Sequence, residues 1–170
     1  ELLYTTTDGS LISECDWSYD GSKIALKTND LHGYNSKIIV IDMLGNTLKT
    51  ILSDANGASG GLNFSVDGNY LVYCHDVSGY QDDHYRQLDS HIFLYNLTTN
   101  TARDLSVESE KENGTNDLDP RLSPNNSQII FTNTSNDGIS VKNIMVISIS
   151  SDTESERASL FSNGEMPDWE

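Results

Sequence analysis

The chain has 170 residues and a formal net charge of −16, from 26 acidic and 10 basic side chains. This length allows one domain with its own core. A strongly negative field repels phosphate backbones, which argues against nucleic acid as a partner. The apolar runs are far shorter than the roughly 20 residues that a helix needs to cross a bilayer, so a membrane-spanning chain is not expected.

Three segments share one order of elements: a short strand that ends at a large apolar anchor, then Ser, a tight turn and a second strand. The anchors are Trp17, Phe64 and Leu122, and a fourth copy begins before Trp169, so that successive anchors lie 47, 58 and 47 residues apart. The turns contain Asp-Gly twice and Asn-Asn once, residues that tolerate positive φ. A repeat of this length is typical of propeller blades.

The third strand of each repeat is a continuous apolar run rich in Ile and Val. A strand with one wet face would alternate apolar with polar residues, so these runs predict strands that are buried on both faces. A blade that lies between two neighbours provides that environment. Third strands are expected at residues 38–41, 92–95 and 144–147, and fourth strands at 48–52, 102–107 and 157–161.

The sequence therefore predicts an all-β fold, a partial β-propeller made of four-stranded antiparallel blades over residues 1–170. It would contain three complete blades and one strand of an incomplete blade at each end. The expected ranges are 1–8 for the outer strand of a preceding blade, 12–53, 59–108 and 117–162 for the blades, and 164–170 for the inner strand of a next blade.

The repeat resembles that of the TolB-like β-propeller family, whose pattern reads roughly P-x-W-S-P-D-G-x-x-I-x-F. Residues 16–21, Asp-Trp-Ser-Tyr-Asp-Gly, and residues 119–124, Asp-Pro-Arg-Leu-Ser-Pro, carry the resemblance, and Asn125-Asn126 departs from it. The family usually closes larger rings of blades. The resemblance thus implies that the remaining blades come from a longer parent chain or from another copy.

That resemblance implies a non-enzymatic scaffold that binds a protein or another ligand in the bacterial periplasm or at the cell surface. A protein partner is expected. Two enzymatic alternatives stay open: the gating propeller of a prolyl-oligopeptidase-like peptidase, whose hydrolase domain would lie outside this chain, and an oligogalacturonate-lyase-like polysaccharide lyase that uses clustered histidines.

The second repeat carries a long insertion between its second and third strands, from Asp76 to Ser90. Tyr and Arg dominate binding hot spots, and loops on a rigid scaffold commonly carry recognition. The candidate binding residues are therefore four side chains of this insertion, Tyr80, His84, Tyr85 and Arg86.

A divalent metal such as calcium or manganese is a weaker hypothesis, with His75, His84 and His91 as candidate ligands. Antiparallel pairing of the second and third strands would bring His75 and His91 close together. The spacing of the three histidines matches no compact zinc signature, so the sequence favours no cofactor.

No catalytic residue is expected. Residues 57–61 match the G-x-S-x-G string, but no helix is predicted after Ser59, and a flexible Gly-rich link is the favoured interpretation. Glu14 and Asp16 lie beside the first anchor and are expected to line the central channel. Cys15 and Cys74 are expected to be buried free thiols rather than a disulfide.

Overall fold

The computed structural model describes residues 2–81, 87–137, 139–149 and 155–169. These residues form three four-stranded antiparallel sheets in which sequential strands are neighbours, and one short helix. No helix in these ranges is long and apolar enough to span a bilayer. The strands of blade 1 are β1 (Leu11–Trp17), β2 (Lys23–Asn29), β3 (Ser36–Asp42) and β4 (Thr47–Ala55); those of blade 2 are β5 (Ser59–Phe64), β6 (Tyr70–Asp76), β7 (Ser90–Asn96) and β8 (Thr101–Asp104); those of blade 3 are β9 (Thr115–Leu122), β10 (Gln128–Ser135), β11 (Asn143–Ser148) and β12 (Arg157–Ser162).

The all-β prediction and its three four-stranded blades are confirmed. Strand β3 shows why its sequence is apolar throughout: Ile38 and Val40 join the core shared with blade 2, while Ile39 and Ile41 join a cluster on the opposite face. All four side chains are almost completely buried. Each such burial contributes about 1.5–3 kcal/mol, so both faces of the strand stabilise the fold.

Blades 2 and 3 share a second core of the same kind. Val72 and Ile92 from blade 2 pack with Ile129, Phe131 and Ile147 from blade 3, and all five are fully buried. Blade 2 is thus covered by blade 1 on one face and by blade 3 on the other, as its continuous apolar third strand predicted.

Polar side chains of the inner strands also join the blades. Asp16, the residue before the first anchor, accepts a hydrogen bond from the backbone N–H of Phe64 at 2.6 Å. Asn63 occupies the same repeat position in blade 2 and accepts the N–H of Leu122 at 2.9 Å. In blades 1 and 2, the side chain of the residue before the anchor therefore helps to fix the register of the next blade.

A buried ion pair joins β9 and β12 within blade 3, and it also accepts a hydrogen bond from the segment that follows blade 2. The carboxylate of Asp117 is fully buried and accepts from the guanidinium of Arg157, with Oδ2 and Nη2 2.5 Å apart. Ser106 and Asn133 donate to the same carboxylate at 2.6 and 2.8 Å. Arg157 also lies over the ring of Phe131. The guanidinium and these hydrogen bonds together compensate the negative charge of Asp117, which a buried carboxylate requires.

The fourth strand of blade 2 is shorter than predicted. It ends at Asp104, and residues 105–107 belong to a helical turn, α1 (Leu105–Glu108), rather than to a strand. Asp104 caps this turn, because its Oδ1 accepts the N–H of Val107 at 3.0 Å. Full burial of Leu105 against blade 3 favours the turn over a continued strand.

The end segments also differ from the prediction, since residues 2–10 and 163–169 do not form strands. A strand forms only where its backbone can pair with a neighbouring strand. Among the described residues, these two segments lie on the faces of the blades instead. Leu3 and Tyr4 pack on the outer cluster of blade 1, and the Met166 N–H donates to Thr132 of blade 3. Each segment thus covers part of a face that no described blade covers.

The cysteine prediction is partly wrong. Both thiols are free, but Cys15 is exposed and only Cys74 is buried. Burial raises the pKa of the Cys74 thiol to about 12, so that this side chain stays neutral at physiological pH.

The first prediction concerns Gly61, which has φ of +65° where the inner strand of blade 2 meets that of blade 3. A Cβ at this position would lie 2.5 Å from Pro120 Cδ and 3.2 Å from the backbone of Asp119. We expect Gly61→Ala to lower the free energy of unfolding by roughly 2–4 kcal/mol, from overpacking and positive φ together. Urea denaturation measures this change.

Gly9→Ala is the matched control, because Gly9 has φ of +79° but nothing within 4 Å of its added Cβ. It should cost no more than about 1–2 kcal/mol. Equal destabilisation by the two substitutions would show that the blade contact at Gly61 is not tight.

Candidate functional site

The candidate site lies at one end of blade 2, which we call the loop end. Here β5 begins at Ser59, β6 ends at Asp76 and β7 begins at Ser90. The predicted insertion forms the connection between β6 and β7. Within it, residues 82–86 lie outside the described residues, and with them the candidate residues His84, Tyr85 and Arg86.

The connection is held at its base by the fully buried carboxylate of Asp76. This carboxylate accepts the backbone N–H groups of Ser78, Leu88 and Asp89 at 2.9, 2.9 and 3.2 Å. The two arms of the connection also meet directly, since the Val77 N–H donates to the carbonyl of Asp89. One side chain therefore organises both arms.

Blade 3 fixes the returning arm. Asn116 accepts the N–H of Ser90 at 2.9 Å and donates to the carbonyl of Gln87 at 3.0 Å. Asn136 donates to the carbonyl of Leu88 at 3.0 Å. The connection thus begins and ends on a rigid base shared by two blades.

The candidate binding residue that the structure describes is Tyr80. Its side chain is 37% exposed, and its N–H donates to Ser78 Oγ at 3.1 Å. Gly79 precedes it with φ of +67° and approaches Asn56, in the link between blades 1 and 2. Tyr80 therefore stands partly exposed next to the fixed base of the connection.

Two histidines lie side by side beneath the connection. Strand pairing makes His75 and His91 direct ladder partners, as the sequence predicted. Both rings contact Phe93, with centroids 6.4 Å away in each case. The two rings differ in their polar partners, and this sets their charge.

His91 is surrounded by carboxylates. Its Nδ1 lies 2.8 Å from Asp104 Oδ2, and its Nε2 lies 3.1 Å from Asp89 Oδ1. Burial opposes the charged form, but the hydrogen bond and charge of Asp104, with the charge of Asp89, outweigh it and raise the pKa of His91. A ring with a carboxylate at each nitrogen is suited to carry both protons.

Lys111 shares Asp89 with His91. Its ammonium is almost fully buried, lies 2.7 Å from Asp89 Oδ1, and donates to the carbonyl of Thr115. Burial alone would raise the pKa of Asp89, but Lys111 and His91 lower it below its usual value. Sequence reasoning missed Lys111 and Asp104, because neither is near the histidines in the chain.

His75 has the opposite environment. Burial lowers its pKa more than the charge of Asp76 raises it, so this ring is neutral at neutral pH. Its Nδ1 lies 2.9 Å from Ser59 Oγ, and the two residues are ladder partners. Ser59 is therefore the buried cross-strand partner of His75 at the start of a strand, and not part of a flexible link.

Among the residues that the structure describes, this Ser–His pair is not accompanied by the other parts of a hydrolase site. Ser59 lies in extended β5 rather than at a strand-to-helix elbow. The nearby amides of Gly61 and Leu62 donate to the carboxylate of Glu14 and are not turned toward Ser59 as an oxyanion hole. The arrangement supports a structural role for the pair.

The metal hypothesis finds little support in the described part of the site. His91 uses both nitrogens on carboxylates, whereas a metal ligand must offer a free lone pair. The described residues contain no group of three or more side chains suited to hold a metal ion. His84 lies outside them, so the three-histidine hypothesis stays a prediction.

Comparison with known proteins supports the fold. No protein-family model and no curated protein matches the chain. Several solved structures do match. TolB from Acinetobacter baumannii has 21% identity and a TM-score of 0.59, and the match covers 87% of this chain and 32% of that one. Oligogalacturonate lyase in complex with manganese has 13% identity and a TM-score of 0.65, covering 94% of this chain and 45% of that one, and a nidogen/laminin complex has 13% identity and a TM-score of 0.62, covering 94% and 51%. The chain spans about a third to a half of these structures, and it has the β-propeller fold that they share.

We predict that the two histidines titrate on opposite sides of the usual value of 6.5, His91 above and His75 below. NMR titration of the ring protons measures both. Because the pKa of His91 is raised in the folded state, its ionisation stabilises the fold fully below pH 6.5. This stabilisation is lost as the pH rises through the folded-state pKa. His91→Gln should therefore destabilise more at pH 6 than at pH 8.5.

His75→Gln is the internal comparison, with the sign reversed. Because the pKa of His75 is lowered in the folded state, its neutral ring contributes to stability above pH 6.5. This contribution is lost as the pH falls through the folded-state pKa. The assignment fails if the two variants show the same pH dependence.

Asp76→Ala should release the connection. We expect faster amide hydrogen exchange at Ser78, Leu88 and Asp89, and a loss of roughly 3 kcal/mol or more in stability, because three N–H groups lose their acceptor. Asp67→Ala is the control, since Asp67 caps only its own turn. Unchanged exchange at Leu88 would mean that Asp76 does not hold the returning arm.

Proposed function

We propose that this chain is part of a non-enzymatic β-propeller scaffold that binds a protein partner at the loop end of blade 2. The proposal rests on one observation: the β6–β7 connection combines a fixed base with a partly exposed aromatic side chain. Its base is fixed by Asp76, Asn116 and Asn136, and Tyr80 stands partly exposed above that base.

A fixed base favours binding because it lowers the entropy that a recognition loop loses when its partner docks. The types of side chain that the insertion carries, Tyr and Arg, are those that dominate binding hot spots. Tyr85 and Arg86 belong to the proposal on sequence grounds alone. The similarity to a structure determined as a nidogen/laminin complex is consistent with a protein partner for this fold.

The proposal places the protein in the bacterial periplasm or at the cell surface, as the resemblance to TolB implies. Enzymatic roles are the rivals. The described residues supply neither an oxyanion hole beside Ser59 nor a free imidazole nitrogen on His91.

Affinity capture tests the proposal. The tagged chain is used to recover partners from an extract of the source organism, beside a triple variant, Tyr80→Ala, Tyr85→Ala and Arg86→Ala. We expect the variant to recover at least tenfold less of the partner, since hot-spot truncations cost about 2 kcal/mol or more each.

A control variant, Leu44→Ala, changes an exposed side chain in the β3–β4 turn and should retain the partner. Full retention by the triple variant would remove the connection from the proposal. One equivalent of bound manganese, lost in His84→Ala with His91→Ala, would favour the lyase instead.

A further inference from the structure

A second surface lies at the opposite end of the blades, where the inner strands end and turn. We call this the turn end. An inner strand of six residues spans about 17 Å, so the two ends are well separated. The residue after Ser in each turn is apolar and exposed here: Tyr19, Val66 and Pro124, with Tyr19 81% and Val66 42% exposed.

Tyr19 departs from the family pattern, which has Pro at this position. Proline would fit the turn equally well, and the turn itself is held by Asp20, which accepts from Ser18 and Ser22. Folding therefore does not explain a large aromatic ring that is almost entirely in solvent. Together with Val66 and Pro124 in the neighbouring turns it forms a group of exposed apolar side chains, which is typical of a contact surface.

These turns border a cavity of about 220 Å³. Its aromatic wall includes Trp17 and Trp169, and its two charged lining residues are both acidic, Asp16 and Asp168. Trp17, Tyr19 and Trp169 line the opening together with Asp16 and Asp168. Aromatic faces and carboxylates therefore meet at one opening.

The charges around the cavity are also mainly negative. Asp20 and Asp67 stand in the adjacent turns, and hydrogen bonds from Ser18 and Ser22 help to hold the pKa of Asp20 near 2. Two cations lie close by: Arg121, whose guanidinium donates to the carbonyl of Pro120, and Lys23, beside the turn of blade 2. Asp16 and Asp168 thus line the cavity, Arg121 lies near Asp16, and the neighbouring turns add Asp20, Asp67 and Lys23, in a chain of net charge −16.

We propose that the turn end binds a basic peptide segment, with one Lys or Arg side chain in the cavity between Trp17, Tyr19 and Asp16. Cations are attracted to aromatic faces and to carboxylates. The cavity is smaller than the roughly 300–1,000 Å³ that whole small molecules occupy, so it suits one side chain of a longer segment. This proposal does not depend on the site at the loop end.

Tryptophan fluorescence provides a direct test, because the only two tryptophans of the chain, Trp17 and Trp169, both line the cavity. The probe is a peptide of four Gly-Arg repeats, compared with four Gly-Glu repeats and with maltotetraose. We expect the basic peptide alone to change the fluorescence saturably. Its affinity should fall as salt rises, since salt screens exposed charges beyond about 10 Å at 0.1 M.

Two variants locate the contact. Tyr19→Ala should weaken binding about threefold by removing one cation–π face. Asp16→Asn with Asp168→Asn should weaken it about fivefold or more. Asparagine at position 16 can still accept the Phe64 N–H, and Tyr19 is exposed in a turn, so that Tyr19→Ala remains informative if the double variant is unstable.

The controls change an exposed apolar side chain and two carboxylates at the loop end. Leu31→Ala, and Asp30→Asn with Asp137→Asn, should leave the affinity unchanged. The proposal is overturned by no response up to about 1 mM peptide, by an equal response to the acidic peptide, by saturable binding of maltotetraose, or by equal weakening from the control variants.

Discussion

Each blade of this protein must be covered on both faces, and the rest of the structure follows from that constraint. The middle strands place alternate apolar side chains on opposite sides, as Ile38 and Ile39 do in β3. A single sheet of this kind would leave both apolar faces in water at a cost of about 25 cal/mol per Å² of apolar surface. Stacking blade on blade removes the cost. Where no further blade is described, the end segments partly cover the open faces.

Apolar stacking is not directional, so the register between blades must come from polar contacts. The inner strands provide it through the residue before each anchor, Asp16 or Asn63, which accepts an N–H of the next blade. In blade 3 this position is Arg121, whose side chain has no acceptor. There the backbone carbonyl of Arg121 accepts instead, from the indole N–H of Trp169 at 3.0 Å. One repeat position thus serves the same contact with different chemistry.

The sequence predicted the strands and blades that the repeat defines. It missed the local features that depend on single side chains. Turn spacing and apolar runs located all three blades, because β-strands leave a local pattern. The turn at Asn126, with φ of +58°, also follows from residue type. The helical turn α1 escaped prediction, since it depends on Leu105 reaching the core of another blade. The same holds for Lys111 and Asp104, whose places beside His91 are set by tertiary contacts alone.

The two ends of the blades are therefore free to differ, because the core between them is fixed by the repeat. At the loop end, chain length varies, and the long connection of blade 2 is secured by the buried carboxylate of Asp76. At the turn end, length is fixed by the four-residue turn, Ser-x-Asp-Gly in blades 1 and 2 and Ser-Pro-Asn-Asn in blade 3, and the exposed residue after Ser differs in all three. A change such as Tyr19 for Pro alters that surface without touching the core. Binding specificity at the turn end can thus change by single substitutions, whereas at the loop end it requires a new connection with its own buried support.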